Sequence, residues 1–369
     1  MREARTHRIS AAAPDDMSGL DRAIADGRID PAGIVAILGK TEGNGCVNDF
    51  TRAFAVSALK GAVARHAAAD GNSICYVMSG GTEGGLSPHW LVLERREGKA
   101  TTERSALAVG RARTRELKPE EIGRIAQVEA VAEGVRAAMA DAGIDDGADI
   151  HFVQIKCPLL TAERVLAAET RGERCATRDT LESMSLSRAA SALGIGVALG
   201  EIEAASIGDD AIGKEMTLWS GRASASAGVE LHDHEIVVLG MSSAWGGPLA
   251  VNHAVMADPI DIEPVRDALA RLGLPCLGQV PATARSAIVG LLAKAEAGST
   301  GLIRGRRHTM LDDSDIASTR HARAFVGGAL AGLVGFTDIF VSGGAEHQGP
   351  DGGGPVAIIV DRSKLGGSP

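Results

Sequence analysis

Ser79-Gly80-Gly81-Thr82-Glu83 returns as Ser226-Ala227-Gly228-Val229-Glu230 and again as Ser342-Gly343-Gly344-Ala345-Glu346. One such segment is an ordinary turn. Three of them in one chain of 369 residues are an internal repeat, and a repeat decides architecture before any single element does. Outward from each serine, the same landmarks recur in the same order. A lysine closes an apolar run upstream: Ile34-Val35-Ala36-Ile37-Leu38-Gly39 leads to Lys40, Ile150-His151-Phe152-Val153-Gln154-Ile155 to Lys156, and Ile288-Val289-Gly290-Leu291-Leu292-Ala293 to Lys294. Short runs of this composition read as buried strands, although the last also suits a helix. Between lysine and serine lies an arginine in an Ala-rich segment of helical period: Arg52, Arg188 and Arg323. Asp49, Asp179 and Asp315 are placed to cap those helices.

The repeat predicts an α/β fold of three structurally similar units around a pseudo-threefold axis, spanning about 1–104, 112–248 and 254–369. The seams are expected in the polar run from Arg95 to Arg104 and near Ala254-Val255-Met256-Ala257. Pro119–Gly143 reads as an additional amphipathic helix. A threefold arrangement would gather the lysines, arginines and serines at the axis.

Composition narrows the function. The net charge is -9, aromatic residues make up 3 %, and the densest basic cluster, Arg304 to His308, is short. These features argue against nucleic acid as a partner, which needs basic stripes or stacking platforms. No run of about 20 apolar residues suggests a membrane span, and Met1 to Pro14 lacks the apolar core of a signal peptide. The five cysteines form no C-x-x-C pair, which points to free thiols and a cytoplasmic setting. The histidines show no zinc-binding spacing. Gly39-x-x-x-Gly43-x-Gly45 lacks the Lys-Ser/Thr ending of a phosphate loop.

A serine needs a base before it can attack. No histidine recurs with the serines, and a lysine does, so the residues suggest a Ser–Lys dyad. The lysine must shed a proton it ordinarily holds to about pH 10.4, which burial and neighbouring cations promote. Glu42 and Glu296 stand two residues after Lys40 and Lys294, whereas Pro158 follows Lys156 at that spacing. A carboxylate on the same strand face would keep a lysine charged, so Lys156 is expected to be the base and Ser226 the nucleophile. Gly80, Ala227 and Gly343 follow the serines and could offer backbone N–H groups to an oxyanion. The glutamate ending each segment either braces a cation or acts as an acid. Three like sets of donors suit a flat ring of alternating C=O and N–H groups. A non-catalytic module for planar rings would keep the arginines but need no base.

Four stretches carry a resemblance. Gly39 to Asp49 (GKTEGNGCVND), Val77 to Gly84 (VMSGGTEG), Arg307 to Leu311 (RHTML) and Phe340 to Pro350 (FVSGGAEHQGP) resemble the cyanuric acid hydrolase/barbiturase family of ring-opening amidohydrolases, and the likeness spans nearly the whole chain. The resemblance implies hydrolysis of a cyclic imide, cyanuric acid ahead of barbituric acid. It implies Ser226 and Lys156 as the catalytic pair, without a catalytic cofactor. Substrate-binding positions would be Arg52, Ser79, Gly80, Arg188, Ser226, Ala227, Arg323, Ser342 and Gly343, with Lys40 and Lys294 beside them. It also implies a homotetramer and a structural Mg²⁺ or Ca²⁺ held by Glu296 and by oxygens of Ala345, Gln348, Gly349, Pro350 and Gly353. From composition alone, Gly349 to Pro355 reads as a flexible Gly-rich loop ahead of a cation site, a preference the resemblance reverses.

Overall fold

A computed structural model describes residues 1–66, 73–98 and 105–365. The chain forms three sheets of one topology. The first unit holds β1 (Arg2–Ser10), α1 (Ser18–Ala25), β2 (Ile34–Thr41), α2 (Phe50–Arg65), β3 (Cys75–Gly80) and β4 (His89–Glu97). The second holds β5 (Ala106–Arg113), α3 (Ile125–Ala142), β6 (Ile150–Cys157), α4 (Ala162–Thr170), α5 (Thr180–Ala198), β7 (Ala223–Ala227) and β8 (Glu235–Ser242). A two-residue strand, β9 (Trp245–Gly246), crosses back to pair with β1. The third unit holds β10 (Leu249–Met256), α6 (Glu263–Arg271), β11 (Ile288–Ala295), a small hairpin of β12 (Leu302–Ile303) and β13 (Arg306–Arg307), α7 (Ser318–Val334), β14 (Phe340–Gly343) and β15 (Gly354–Asp361).

The sheet orders are β3-β2-β4-β1, β7-β6-β8-β5 and β14-β11-β15-β10, with β9 added at the edge of the first. In every unit the lysine strand pairs in parallel with the serine strand, joined by the arginine helix. Parallel neighbours need such a crossover, which is why lysine, arginine and serine keep their order along the chain. Each lysine strand also carries a register shift near its start, between Ile34 and Ala36, Ile150 and Phe152, and Ile288 and Gly290.

The largest apolar cluster lies where the three sheets meet. Leu38 and Val77 come from the first unit, Phe152 and Val237 from the second, and Leu292 and Phe340 from the third. In β2 and β3 the strand period of two aims Ala36, Leu38, Cys75 and Val77 into this cluster. The same period turns Lys40 and Ser79 inward at the strand ends.

Several expectations need correction. The third lysine run is not among them, since it forms the buried strand read for it, β11, and not the alternative helix. The unit starts at 112 and 254 fall inside β5 and β10, whose ladders assign them whole to the second and third sheets. The polar seam near 254 is therefore buried strand, and part of the first seam (99–104) lies outside the described residues. Pro119–Glu121 is a separate 3₁₀ turn, and the helix runs Ile125–Ala142, closed by Gly143 at φ +67°. Asp49 and Asp179 cap α2 and α5 through Thr51 N and Glu182 N. Asp315 does not cap α7. Its own N–H and that of Ile316 are taken by Asp313, and the cap position is Ala317 without a side-chain bond.

Candidate active site

Lys40 pairs with Ser79, Lys156 with Ser226 and Lys294 with Ser342 in the three parallel ladders. The lysines are almost fully buried and each reaches into the next unit. Lys40 Nζ donates to Val341 O at 2.7 Å, Lys156 Nζ to Met78 O at 3.0 Å and Lys294 Nζ to Ala225 O at 2.9 Å. Every acceptor is the residue just before a serine, so the three bonds close a ring around the axis. Lys40 and Lys294 also donate to their own serines at 3.3 Å.

The serine hydroxyls open onto one small polar pocket, lined by Gly45, Arg52, Met78, Ser79, Gly80, Ser226, Ala227, Arg323, Ser342 and Gly343. Ser226 Oγ lies 3.1 Å from Ser342 Oγ. The sequence reading names eight of these lining residues and misses Gly45 and Met78. Gly45 was legible only as a glycine. Its φ of +73° and the closeness of Arg323 Nη1, 2.9 Å from where a Cβ would sit, explain why no side chain stands there. Arg188 stands behind the wall, close against Gly344, and the lysines back the serines without touching open space.

The arginines are braced from neighbouring units, with one exception. Arg323 grips Glu83 through Nε at 3.0 Å and Nη2 at 2.6 Å. Arg188 grips Glu346 through Nε at 2.8 Å and Nη2 at 2.6 Å. By symmetry Arg52 should grip Glu230. Instead Arg52 donates to Ala227 O at 3.0 Å and Cys46 O at 2.5 Å, and its buried Nε has no hydrogen-bond partner among the described residues. Glu230 turns to Lys156, 3.4 Å away. The closing glutamates thus brace cations, as one of the two sequence readings expects.

Charge and burial set the lysines apart. Burial, with Arg323 and Lys294 nearby, lowers Lys40 well below the usual lysine range despite Glu83. Burial and Arg188 bring Lys294 down to about 7. Lys156 is also lowered by burial, and Glu230 opposes that shift while Arg52 adds to it. Lys156, with no carboxylate two places on, is therefore not the lysine set apart as easiest to deprotonate. β2 ends at Thr41 and β11 at Ala295, so Glu42 and Glu296 lie past the strands, and although the charge of Glu296 does raise Lys294, burial and Arg188 outweigh it. Glu42 is exposed, and Glu296 accepts from Ala297 N and Ala345 N. Among the three lysines it is Lys156, the one expected to lack a carboxylate, that carries an ion pair.

The candidate cation site gathers around Glu296. Burial and the charge of Glu346 push its carboxyl up to about 7. Gly349 and Gly352 adopt φ of +103° and +82°, turning the loop back on itself. Ala345 O and Pro350 O each accept one backbone bond, which leaves a lone pair free on each. One buried, uncomfortable carboxylate among carbonyls is a donor set suited to a hard divalent ion. Gln348 spends its side chain on Ala225 N and on the carbonyls of Gly344 and Glu346, so only its backbone oxygen remains for a cation.

Other singled-out residues have plain roles. Cys157 is buried, its thiol kept protonated by burial. His347 joins Leu218 O to Gly213 N, and His321 faces Asp313. Arg304 and Arg307 pair with Asp258 and Asp312 at the surface.

The family model described as amidohydrolase ring-opening protein matches residues 5–361. A cyanuric acid amidohydrolase of Bradyrhizobium sp. (strain ORS 375) is 63% identical over 368 residues, covering 98% of this chain and 99% of that one. One from Azorhizobium caulinodans is 61% identical over 360 residues, with 98% and 99% covered. A crystal structure of the cyanuric acid hydrolase from A. caulinodans superposes with a TM-score of 0.92 at 60% identity, covering 98% of this chain and all of that one. A second cyanuric acid hydrolase structure, described as an innovation by structural concatenation, gives 0.93 at 46% identity with the same coverage.

Proposed function

The chain belongs to the ring-opening amidohydrolase family, and from that premise we propose that it hydrolyses cyanuric acid to carboxybiuret, with Ser226 as nucleophile and Lys156 as its base. The observation that carries the reading is a break in threefold order at the second pair. Three like Ser–Lys pairs surround one small cavity, and only at the second does a glutamate leave its arginine for the lysine.

The ring binds flat, its carbonyls facing Ser79, Ser342, Arg52 and Arg323 and the backbone at Gly80, Ala227 and Gly343, with Arg188 lending charge from behind. Neutral Lys156 takes the Ser226 proton as Oγ bonds to a ring carbonyl carbon. The oxyanion rests against the neighbouring donors. As the ring C–N bond breaks, Lys156 returns the proton to the leaving nitrogen. Water then adds to the acyl-serine, the ester C–O bond breaks, and Ser226 regains its proton. The released carboxybiuret sheds CO₂ to give biuret. Lys40 and Lys294, each bonded to its own serine, hold the other two hydroxyls in place.

A structural Mg²⁺ or Ca²⁺ held by Glu296 and the oxygens of Ala345, Gln348, Gly349, Pro350 and Gly353 belongs to this proposal. So does a homotetramer, which would cover Phe50 and Phe54 on one face of α2, 81% and 53% exposed. The five free cysteines support a cytoplasmic setting, and no helix among the described residues is long and apolar enough to cross a membrane.

The test is turnover of cyanuric and barbituric acids by the purified protein, with products identified by mass spectrometry. Cyanuric acid should yield biuret and CO₂. Ser226→Ala should lose on the order of 10³-fold or more in kcat. Ser79→Ala and Ser342→Ala should retain turnover at raised KM. An undiminished rate in Ser226→Ala would remove the nucleophile assignment. Faster opening of barbituric acid would move the substrate.

A further inference from the structure

Glu83, Glu230 and Glu346 are equivalent in sequence and not in contact. Two of them make paired bonds to an arginine of another unit, and Glu230 does not. Arg52 explains how it can be released. Arg52 sits in the first turn of α2, within reach of Ala227 O and Cys46 O, and these two carbonyls fix the guanidinium without a carboxylate. Arg188 and Arg323 sit deeper in α5 and α7 and depend on their glutamates. The cost of the arrangement is visible. Arg52 Nε is buried and unpartnered, with Asp49 Oδ2 no nearer than 3.8 Å. A buried donor left unmade is unfavourable, and Glu230 nevertheless stands against Lys156.

Resting on the Ser226–Lys156 reading, the geometry points to Glu230 as a positioning residue. It holds the ammonium form that Lys156 assumes once Ser226 has given up its proton, a task Glu83 and Glu346 do not share. The charged and titratable groups around Lys156 are Glu230, Arg52 and Cys157, and those around Glu230 are Lys156, Arg52 and Arg164. Cys157 is kept protonated by burial, and Arg52 repels a second positive charge. Glu230 is therefore the anion that makes Lys156 a competent proton acceptor rather than an amine too weak to hold the serine's proton. Its side chain is 23% exposed and that of Lys156 0%, so it links the buried amine to the outside of the wall.

The test compares Glu230→Gln, Glu230→Asp and Glu83→Gln in pH profiles of kcat and kcat/KM with cyanuric acid, beside Ser226→Ala. Removing the anion leaves Lys156 easier to deprotonate and weaker as a base. Glu230→Gln should lower kcat roughly 10- to 100-fold with KM little changed, and its acidic limb should move to lower pH. Glu230→Asp, which keeps the carboxylate, should keep the limb and recover part of kcat. Glu83→Gln, which frees Arg323, should raise KM and leave the limb in place. Glu230→Gln with an unmoved limb and a raised KM would overturn the inference while an inactive Ser226→Ala keeps the dyad. Full turnover by Ser226→Ala would overturn the dyad, and this inference with it.

Discussion

Glu296 stands one residue past the end of β11, where its buried carboxyl accepts from two backbone N–H groups. Glu346 is near enough to push its carboxyl upward. A carboxylate in that position either takes up a proton or a cation. Bound cation would remove the repulsion and stabilise the loop from Ala345 to Gly353. Ligand that binds the folded state alone stabilises it by about 2.7 kcal/mol at 100 times Kd. Added Mg²⁺ or Ca²⁺ should therefore raise the melting temperature of chelator-stripped protein by several degrees. Glu296→Gln should melt at one temperature with or without cation. Equal shifts in both proteins would place the cation elsewhere.

The arginine helices show which parts of an element a sequence can disclose. Their existence, order and buried arginines follow from local period, and so do the caps of α2 and α5. The start of α7 does not, because Asp313, two residues before Asp315, captures the very N–H groups a cap would compete for. Asp179→Ala should cost about 0.5–2 kcal/mol in urea unfolding, whereas Asp315→Ala should stay within about 0.5 kcal/mol of the parent. A matching loss at 315 would restore the cap. The lysine strands teach a related limit. The period of two places Lys40 and Ser79 correctly, yet the same rule carried past a strand end misjudged Glu42 and Glu296. What surrounds Lys156 is set by units far apart in the chain. The grips of Glu83 on Arg323 and of Glu346 on Arg188 join residues more than 150 positions apart, and no local pattern records them.

At the scale of the molecule, three sheets share one apolar cluster and three lysines lock each unit to the next. The lock has an energetic sign that pH reveals. Lys294 is held at about 7 from an ordinary 10.5, and Lys40 and Lys156 are lowered as well. Where the unfolded chain binds more protons than the folded one, stability rises with pH. The penalty for burying Lys294 is thus complete below pH 7 and is relieved as pH climbs toward 10.5, at about 1.4 kcal/mol per pH unit. His89, His151 and His253 held near 4, and His234 near 3, act in the same direction between pH 4 and 6.5. Glu235 and Glu296, both raised, oppose them there. Above pH 9 the Cys75 thiol, pushed up to about 12 by burial, opposes the lysines because the unfolded thiol ionises first, so the climb slackens there and ends once the unfolded lysines lose their protons near 10.5. The urea midpoint should therefore climb from pH 7 to 8 and climb less steeply beyond 9. Lys294→Met removes one titrating amine along with its bonds to Ala225 O and Gly343 O, so its absolute stability carries two effects at once. Its slope carries one, and the climb between pH 7 and 8 should shrink by about one proton's worth. An unchanged slope would mean that Lys294 is charged in the folded protein, and that the axis is held by ammonium groups instead of amines.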